Sequence, residues 1–182
     1  MTDLDRLRRL LRERSLRVGD FVLASGARST YYIDARLTTM SGVGQLLLGS
    51  VGLAALEEAR WEPAALGGLT LGADPVAYAI AHAAAAAGRP LDAFTVRKEA
   101  KDHGTGRRIE GPFPRGGTVV VVEDVITTGG SALRAIEAVE EAGGHVLGVL
   151  AVVEREGDGR PRLRAAGHEL VALTTAAELL QE

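Results

Sequence analysis

The spacing of apolar residues predicts an α/β fold: a mainly parallel sheet flanked by helices. Three observations carry this. From about residue 64 onward, short apolar runs alternate with longer helix-like segments, the pattern of parallel strands covered on both faces. Val119 to Val122 are four consecutive valines, suited to a central strand with no solvent face. Glycine-rich turns follow two of the strands and lead into helices, one near Gly68 to Gly72 and one over Thr127 to Ser131.

The first element expected is an amphipathic helix over residues 3–14. Asp3 can cap it, and Leu4, Leu7, Leu10 and Leu11 share a face. Arg6, Arg8, Arg9 and Arg12 fall mainly on the other face and read as a solvated surface. Residues 20–38 contain a turn-like Ser25–Gly26 pair followed by a strand-like Tyr31-Tyr32-Ile33-Asp34 run. Residues 43–60 look helical, and Gly44, Gly49 and Gly52 either weaken that helix or allow a neighbour to approach closely. A strand over 64–69, a helix over about 74–87 and a strand over 92–96 come next. A polar, glycine-rich loop runs from Arg97 to Gly117. The valine strand then meets the Thr127–Ser131 turn, and a helix over 131–142 stops at Gly143–Gly144. A strand over 145–154, a Gly/Pro/Arg loop and a last strand and helix complete the chain.

At 182 residues the chain fits one domain with a core of its own. It has no cysteine, which excludes disulfides and thiolate metal sites, and a cytoplasmic setting fits. The net charge of -3 gives no bulk attraction to nucleic acid. The N-terminus mixes acids and bases, unlike a signal peptide. No apolar run approaches the roughly 18 residues of a membrane span, so neither nucleic acid nor membrane is expected as a partner.

Two constellations point to chemistry. Glu123 and Asp124 end the valine strand, where open α/β sheets bind ligands. The turn after them offers Thr127, Thr128 and Ser131 hydroxyls, and Gly129 and Gly130 bring it to a helix N-terminus. Free N–H groups and the helix dipole there attract a phosphate. Carboxylates beside such a cradle would repel the phosphate unless they faced sugar hydroxyls, with magnesium nearby. A ribose 5-phosphate satisfies both halves. No Gly-Lys-Ser/Thr follows, so the turn is not a Walker A loop. The second constellation is Arg97, Lys98, Lys101 and His103, four potential cations within seven positions, in a segment expected to be solvent-facing and mobile. Such a group can clamp a leaving diphosphate, and a closing lid would exclude water. By charge pattern alone it also reads as a solvated run, with Glu99 and Asp102 pairing locally.

The segment Val119–Ser131 resembles the phosphoribosyl-diphosphate signature of type I phosphoribosyltransferases. Carried over, Glu123 and Asp124 hold the ribose hydroxyls, and Val125, Ile126, Thr127, Thr128, Gly129, Gly130 and Ser131 form the turn that holds the 5-phosphate. Arg97-Lys-Glu-Ala-Lys101-Asp102-His103-Gly resembles, more narrowly, the catalytic loop of orotate phosphoribosyltransferases. On that resemblance Arg97, Lys98, Lys101 and His103 bind the diphosphate, Lys101 and Asp102 are catalytic, and the loop works in the neighbouring subunit of a homodimer. Arg107 and Arg108, which follow, carry no assigned role.

Ser25–Asp34 resembles the family's N-terminal substrate segment, with Arg28, Tyr31 and Tyr32 as orotate-binding candidates. Gly67–Asp74 resembles its diphosphate-binding loop, with Leu71 where some relatives have lysine. Arg155 matches an arginine that pairs with the orotate carboxylate, and Thr127 a threonine that also touches orotate. The resemblance spans about residues 5–180. It implies the type I phosphoribosyltransferase fold over residues 1–182, with a small N-terminal hood (about 1–40 plus the C-terminal segment) and a catalytic loop at about 97–111. The implied substrates are 5-phosphoribosyl 1-diphosphate and orotate. Magnesium is the cofactor, carried by the sugar diphosphate with no direct protein ligand. A type I transferase for another base, or a non-catalytic sensor of the sugar diphosphate, are the alternative readings.

Overall fold

The computed structural model describes residues 1–22, 26, 28–99 and 108–181. Helix α1 (Asp3–Arg14) is followed by strands β1 (Leu16–Val22) and β2 (Arg28–Ile33), which pair antiparallel as a separate two-stranded sheet. Helices α2 (Arg36–Thr39) and α3 (Gly42–Glu58) come next. The remaining strands are β3 (Ala65–Leu69), β4 (Asp92–Val96), β5 (Ile109–Glu110), β6 (Thr118–Ile126), β7 (His145–Glu154) and β8 (Leu170–Thr175). They form one sheet in the order β5-β4-β3-β6-β7-β8, parallel except for β5. Helices α4 (Ala73–Ala86), α5 (Gly130–Glu141), α6 (Gly159–Ala165) and α7 (Ala176–Gln181) connect or follow these strands.

The expected α/β class is what the chain adopts, and the valine strand shows why. Successive side chains on a strand point to opposite faces. Val120 and Val122 enter a core with Leu7, Leu11, Leu48 and Ile80 from α1, α3 and α4. Val119 and Val121 enter a second core with Ala132, Ala135, Ile136 and Val139 of α5 and Leu163 of α6. All four valines are fully buried, and each such side chain contributes about 1.5–3 kcal/mol. The glycines of α3 serve close approach. A Cβ at Gly52 would lie 2.5 Å from Ile80 and one at Gly49 2.7 Å from Ala83, both on α4.

Several expectations are corrected. Thr2, not Asp3, caps α1: its Oγ1 accepts from the Asp5 N–H at 3.1 Å, and Asp5 accepts from the Thr2 N–H at 2.8 Å. Two arginines of the supposed solvated face make long-range bonds. Arg8 donates to Glu178 at 2.8 Å and Arg12 to the Leu179 carbonyl at 3.0 Å, so α1 holds α7 in place. The Gly/Pro/Arg loop contains α6, where Pro161 sits in the first turn and needs no N–H acceptor. The long polar loop contains β5, which pairs with β4.

Candidate functional site

Chain order reverses between β3 and β6. From β3 the chain steps outward to β4, and from β6 it steps the other way to β7 and β8. Ligands bind beyond the carboxyl ends of strands at such a switch point. Here β6 ends in Glu123, Asp124, Val125 and Ile126, and a cavity of about 190 Å³ opens beside it. Glu123, Val125, Ile126, Thr127, Thr128, Gly129, Gly130, Ser131 and Ala132 line that cavity. Gly129 adopts a left-handed conformation, φ 71°, as the N-cap residue of α5, with no side-chain cap. The first N–H groups of α5 lack intrahelical acceptors and are available to an anion.

The acidic pair is in an unusual state. Glu123 is buried, and among the described residues its Oε1 has no hydrogen-bond partner. Burial pushes its pKa up to about 8, the Asp124 charge adds to the rise, and Arg134 opposes it. Asp124 is also raised, mainly by burial, while the Val125 N–H at 2.8 Å and the charge of Arg36 pull the other way. Arg36 is a site residue that sequence reading missed. It makes a two-pronged pair with Asp34, at 2.8 and 3.1 Å, and this pairing holds the Asp34 carboxyl low. The Asp-x-Arg spacing after the tyrosines was the available signal.

The turn after β3 lies against the same carboxylate. A Cβ at Gly72 would come within 2.6 Å of Asp124 Oδ1. The Thr70–Leu71 peptide in that turn is cis, and Leu71 is exposed. Asp74 does not cap α4. It lies inside the first turn and accepts from Thr70 Oγ1 at 2.6 Å and Thr95 Oγ1 at 2.9 Å.

One strand over, Arg155 follows the end of β7. Its guanidinium lies 4.7 Å from the Tyr31 ring centroid, and it donates to Tyr31 Oη at 3.3 Å and Ser29 Oγ at 3.4 Å. The Tyr31 hydroxyl in turn donates to Glu156, and burial, then that bond, raises its pKa. Tyr32 points to the opposite side of β2, where its ring lies 5.8 Å from that of Phe21 at a tilt of 37°, so of the two tyrosines Tyr31 is the one that touches Arg155. Arg28 is exposed at the start of β2. Arg97 donates its N–H to the Arg108 carbonyl at 2.7 Å and lies 3.5 Å from Glu110, while Lys98 is exposed. Arg108 reaches toward Glu137 and Glu141 of α5, at 3.7 and 3.9 Å. Lys101, Asp102, His103 and Arg107 lie outside the described residues.

Glu123 and Asp124 supply oxygen donors of the type magnesium accepts. Among the described residues no group of three or more His, Cys, Asp or Glu side chains gathers to hold a metal alone. Two carboxylates are too few to fill a six-coordinate magnesium shell, so a magnesium carried in on a phosphorylated substrate would bring most of its own oxygens. Among the described residues no helix is long and apolar enough to cross a membrane.

Comparison with known proteins agrees with this geometry. Residues 53–166 match the phosphoribosyl transferase domain family. An orotate phosphoribosyltransferase from Aquifex aeolicus is 45% identical over 183 residues, covering 99% of each chain. The crystal structure of Mycobacterium tuberculosis orotate phosphoribosyltransferase with Fe(III) dicitrate superposes with a TM-score of 0.85 at 44% identity, covering 98% of this chain and 99% of that one. The same enzyme in complex with 5-phospho-α-D-ribosyl 1-diphosphate gives 0.83 at 40% identity, with the same coverage. With near-complete coverage at this identity, the chain belongs to the orotate phosphoribosyltransferase family of type I phosphoribosyltransferases.

Proposed function

We propose that the protein transfers the phosphoribosyl group from 5-phosphoribosyl 1-diphosphate to N1 of orotate, giving orotidine 5′-phosphate and diphosphate. This is a step of de novo pyrimidine (UMP) biosynthesis. One observation carries the reading. A hydroxyl- and glycine-lined turn with an acidic pair, Glu123 buried and Asp124 half-buried, ends β6, and an arginine held by Tyr31 and Ser29 follows the adjacent strand β7.

The turn from Val125 to Ser131 binds the 5-phosphate through its N–H groups and hydroxyls. Glu123 and Asp124 accept bonds from the ribose alcohols. Arg155, with Thr127, Arg28 and Tyr31, selects the acidic base; a guanidinium–carboxylate pair is the chemistry that separates orotate from a neutral base. Arg97, Lys98, Lys101 and His103 neutralise the departing diphosphate, and Lys101 with Asp102 assists proton movement. The C1–oxygen bond to diphosphate breaks, the C1–N1 bond forms, and N1 gives up its proton. Magnesium on the sugar diphosphate supplies charge neutralisation. The chain's own contribution is alignment and electrostatic stabilisation of an oxocarbenium-like transition state.

A homodimer, in which the 97–106 loop completes the neighbour's site, and a cytoplasmic location belong to the same proposal. Leu37, Met40, Val43 and Leu46, on and between α2 and the start of α3, are large apolar side chains left exposed, a surface suited to a second copy of this chain.

The test is an orotate-depletion assay with magnesium and the sugar diphosphate. The wild type should consume orotate, and Lys101→Ala should lose about 100-fold or more in kcat, the scale of removing one transition-state charge contact. Turnover of a purine base and none of orotate would overturn the assignment.

A further inference from the structure

Three consecutive carbonyls of the phosphate turn are engaged by one segment of chain more than 25 residues downstream. The Ile126 carbonyl accepts the Arg155 N–H at 2.8 Å, and the Thr127 carbonyl accepts the Gly159 N–H at 2.9 Å. The Thr128 carbonyl accepts from the Arg162 guanidinium at 2.8 Å. The fit is close. A Cβ at Gly157 would stand 2.5 Å from the Thr127 oxygen, and one at Gly159 would stand 2.8 Å from it.

A peptide unit is planar and trans, so its C=O and the following N–H point in opposite directions. Holding the carbonyls of residues 126, 127 and 128 therefore sets the direction of the N–H groups of Thr127, Thr128 and Gly129. These residues line the cavity beside β6. Of the three bonds, two come from backbone and are tied to the fold. The third comes from Arg162, an exposed side chain on α6 that is no part of that cavity lining.

We propose that Arg162 is a positioning residue: through the Thr128 carbonyl it fixes the Thr128–Gly129 peptide of the phosphate turn and so tunes affinity for the sugar diphosphate without touching it. The inference rests on the turn's being the 5-phosphate site. The bond is charge-assisted, which polarises the peptide as well as orienting it. Because Arg155 opens the segment that Arg162 closes, the brace also joins the base-selecting side of the site to its phosphate side.

Steady-state kinetics of the full chain test this, varying each substrate separately for the wild type, Arg162→Ala and Arg162→Lys. The alanine variant should raise KM for the sugar diphosphate about five- to tenfold, the effect of one ordinary solvent-exposed hydrogen bond, with kcat and KM for orotate within about twofold. Inorganic phosphate should weaken as a competitive inhibitor in parallel, and the lysine variant should recover part of the loss. An unchanged KM for the sugar diphosphate in Arg162→Ala overturns the inference. So does a rise in both KM values accompanied by a lowered melting temperature, which marks a general structural role. Failure of the wild type to turn over these substrates would instead remove the functional reading beneath it.

Discussion

At the scale of single residues, Glu123 makes the sharpest demand on the site. A carboxylic acid whose pKa is about 8 in the folded chain, against 4.5 for the free group, keeps its proton where the unfolded chain has lost it. The folded state then binds more protons between those two values, so stability falls as pH rises through that window. The stabilising effect is fully present below about 4.5 and gone above about 8. Glu123→Gln keeps the shape and removes the titration. In ligand-free protein it should flatten the pH dependence of melting between those values. At pH 8 it should raise the melting temperature by a few degrees, at roughly 2–4 °C per kcal/mol. Turnover should fall above about pH 8, where Glu123 is ionised, because the amide offers a ribose hydroxyl a weaker acceptor than a carboxylate does. A melting profile as steep in the variant as in the wild type would show that Glu123 is not the buried acid responsible.

At the scale of elements, α4 shows how a helix start can hold the turn that precedes it. Asp74 in its first turn ties Thr70 of the turn after β3 to Thr95 of β4, and Tyr78 one helical turn later contacts Thr95 Oγ1 at 3.0 Å. Asp74→Ala leaves two hydroxyls without their acceptor. It should cost about 1–3 kcal/mol, read as a lowered denaturant midpoint with an unchanged slope. Asp74→Asn, which keeps one acceptor oxygen, should cost less. What could be read from the sequence follows the same division. The β6 strand, its acidic pair and its turn are contiguous, and period and residue type reveal them together. Strand β1 was missed because Val18 and Val22 are exposed and the strand lacks a buried alternate face. Helix α6 was missed because glycine and proline read as breakers, although proline in a first turn removes no hydrogen bond. The charge of Arg36 acting on Asp124, and the bond of Arg162 to Thr128 some 34 positions away, are interactions that only folding creates.

At the scale of the whole molecule, the question is whether one chain makes a complete site. The turn, the acidic pair and Arg155 come from one end of a single sheet. The apolar side chains of Leu37, Met40, Val43 and Leu46 are exposed on that same chain. If a second copy covers them and its loop supplies Lys101, activity belongs to the pair of chains. Two inactive variants can then complement each other. Lys101→Ala keeps an intact turn, and Thr128→Pro disrupts the turn while keeping an intact loop. Co-expressed with different tags, they should assemble at random. Half of the dimers would be mixed, and each mixed dimer would have one site built from the intact turn of one chain and the intact loop of the other. By that symmetry argument about one quarter of wild-type activity should return, and it should copurify with both tags. A loop acting within its own chain would leave the mixture as inactive as its parents, because no chain would carry both intact parts. Sedimentation of the wild type at the mass of two chains is the companion result required. A monomer that turns over orotate at full rate would remove the need for the partner altogether.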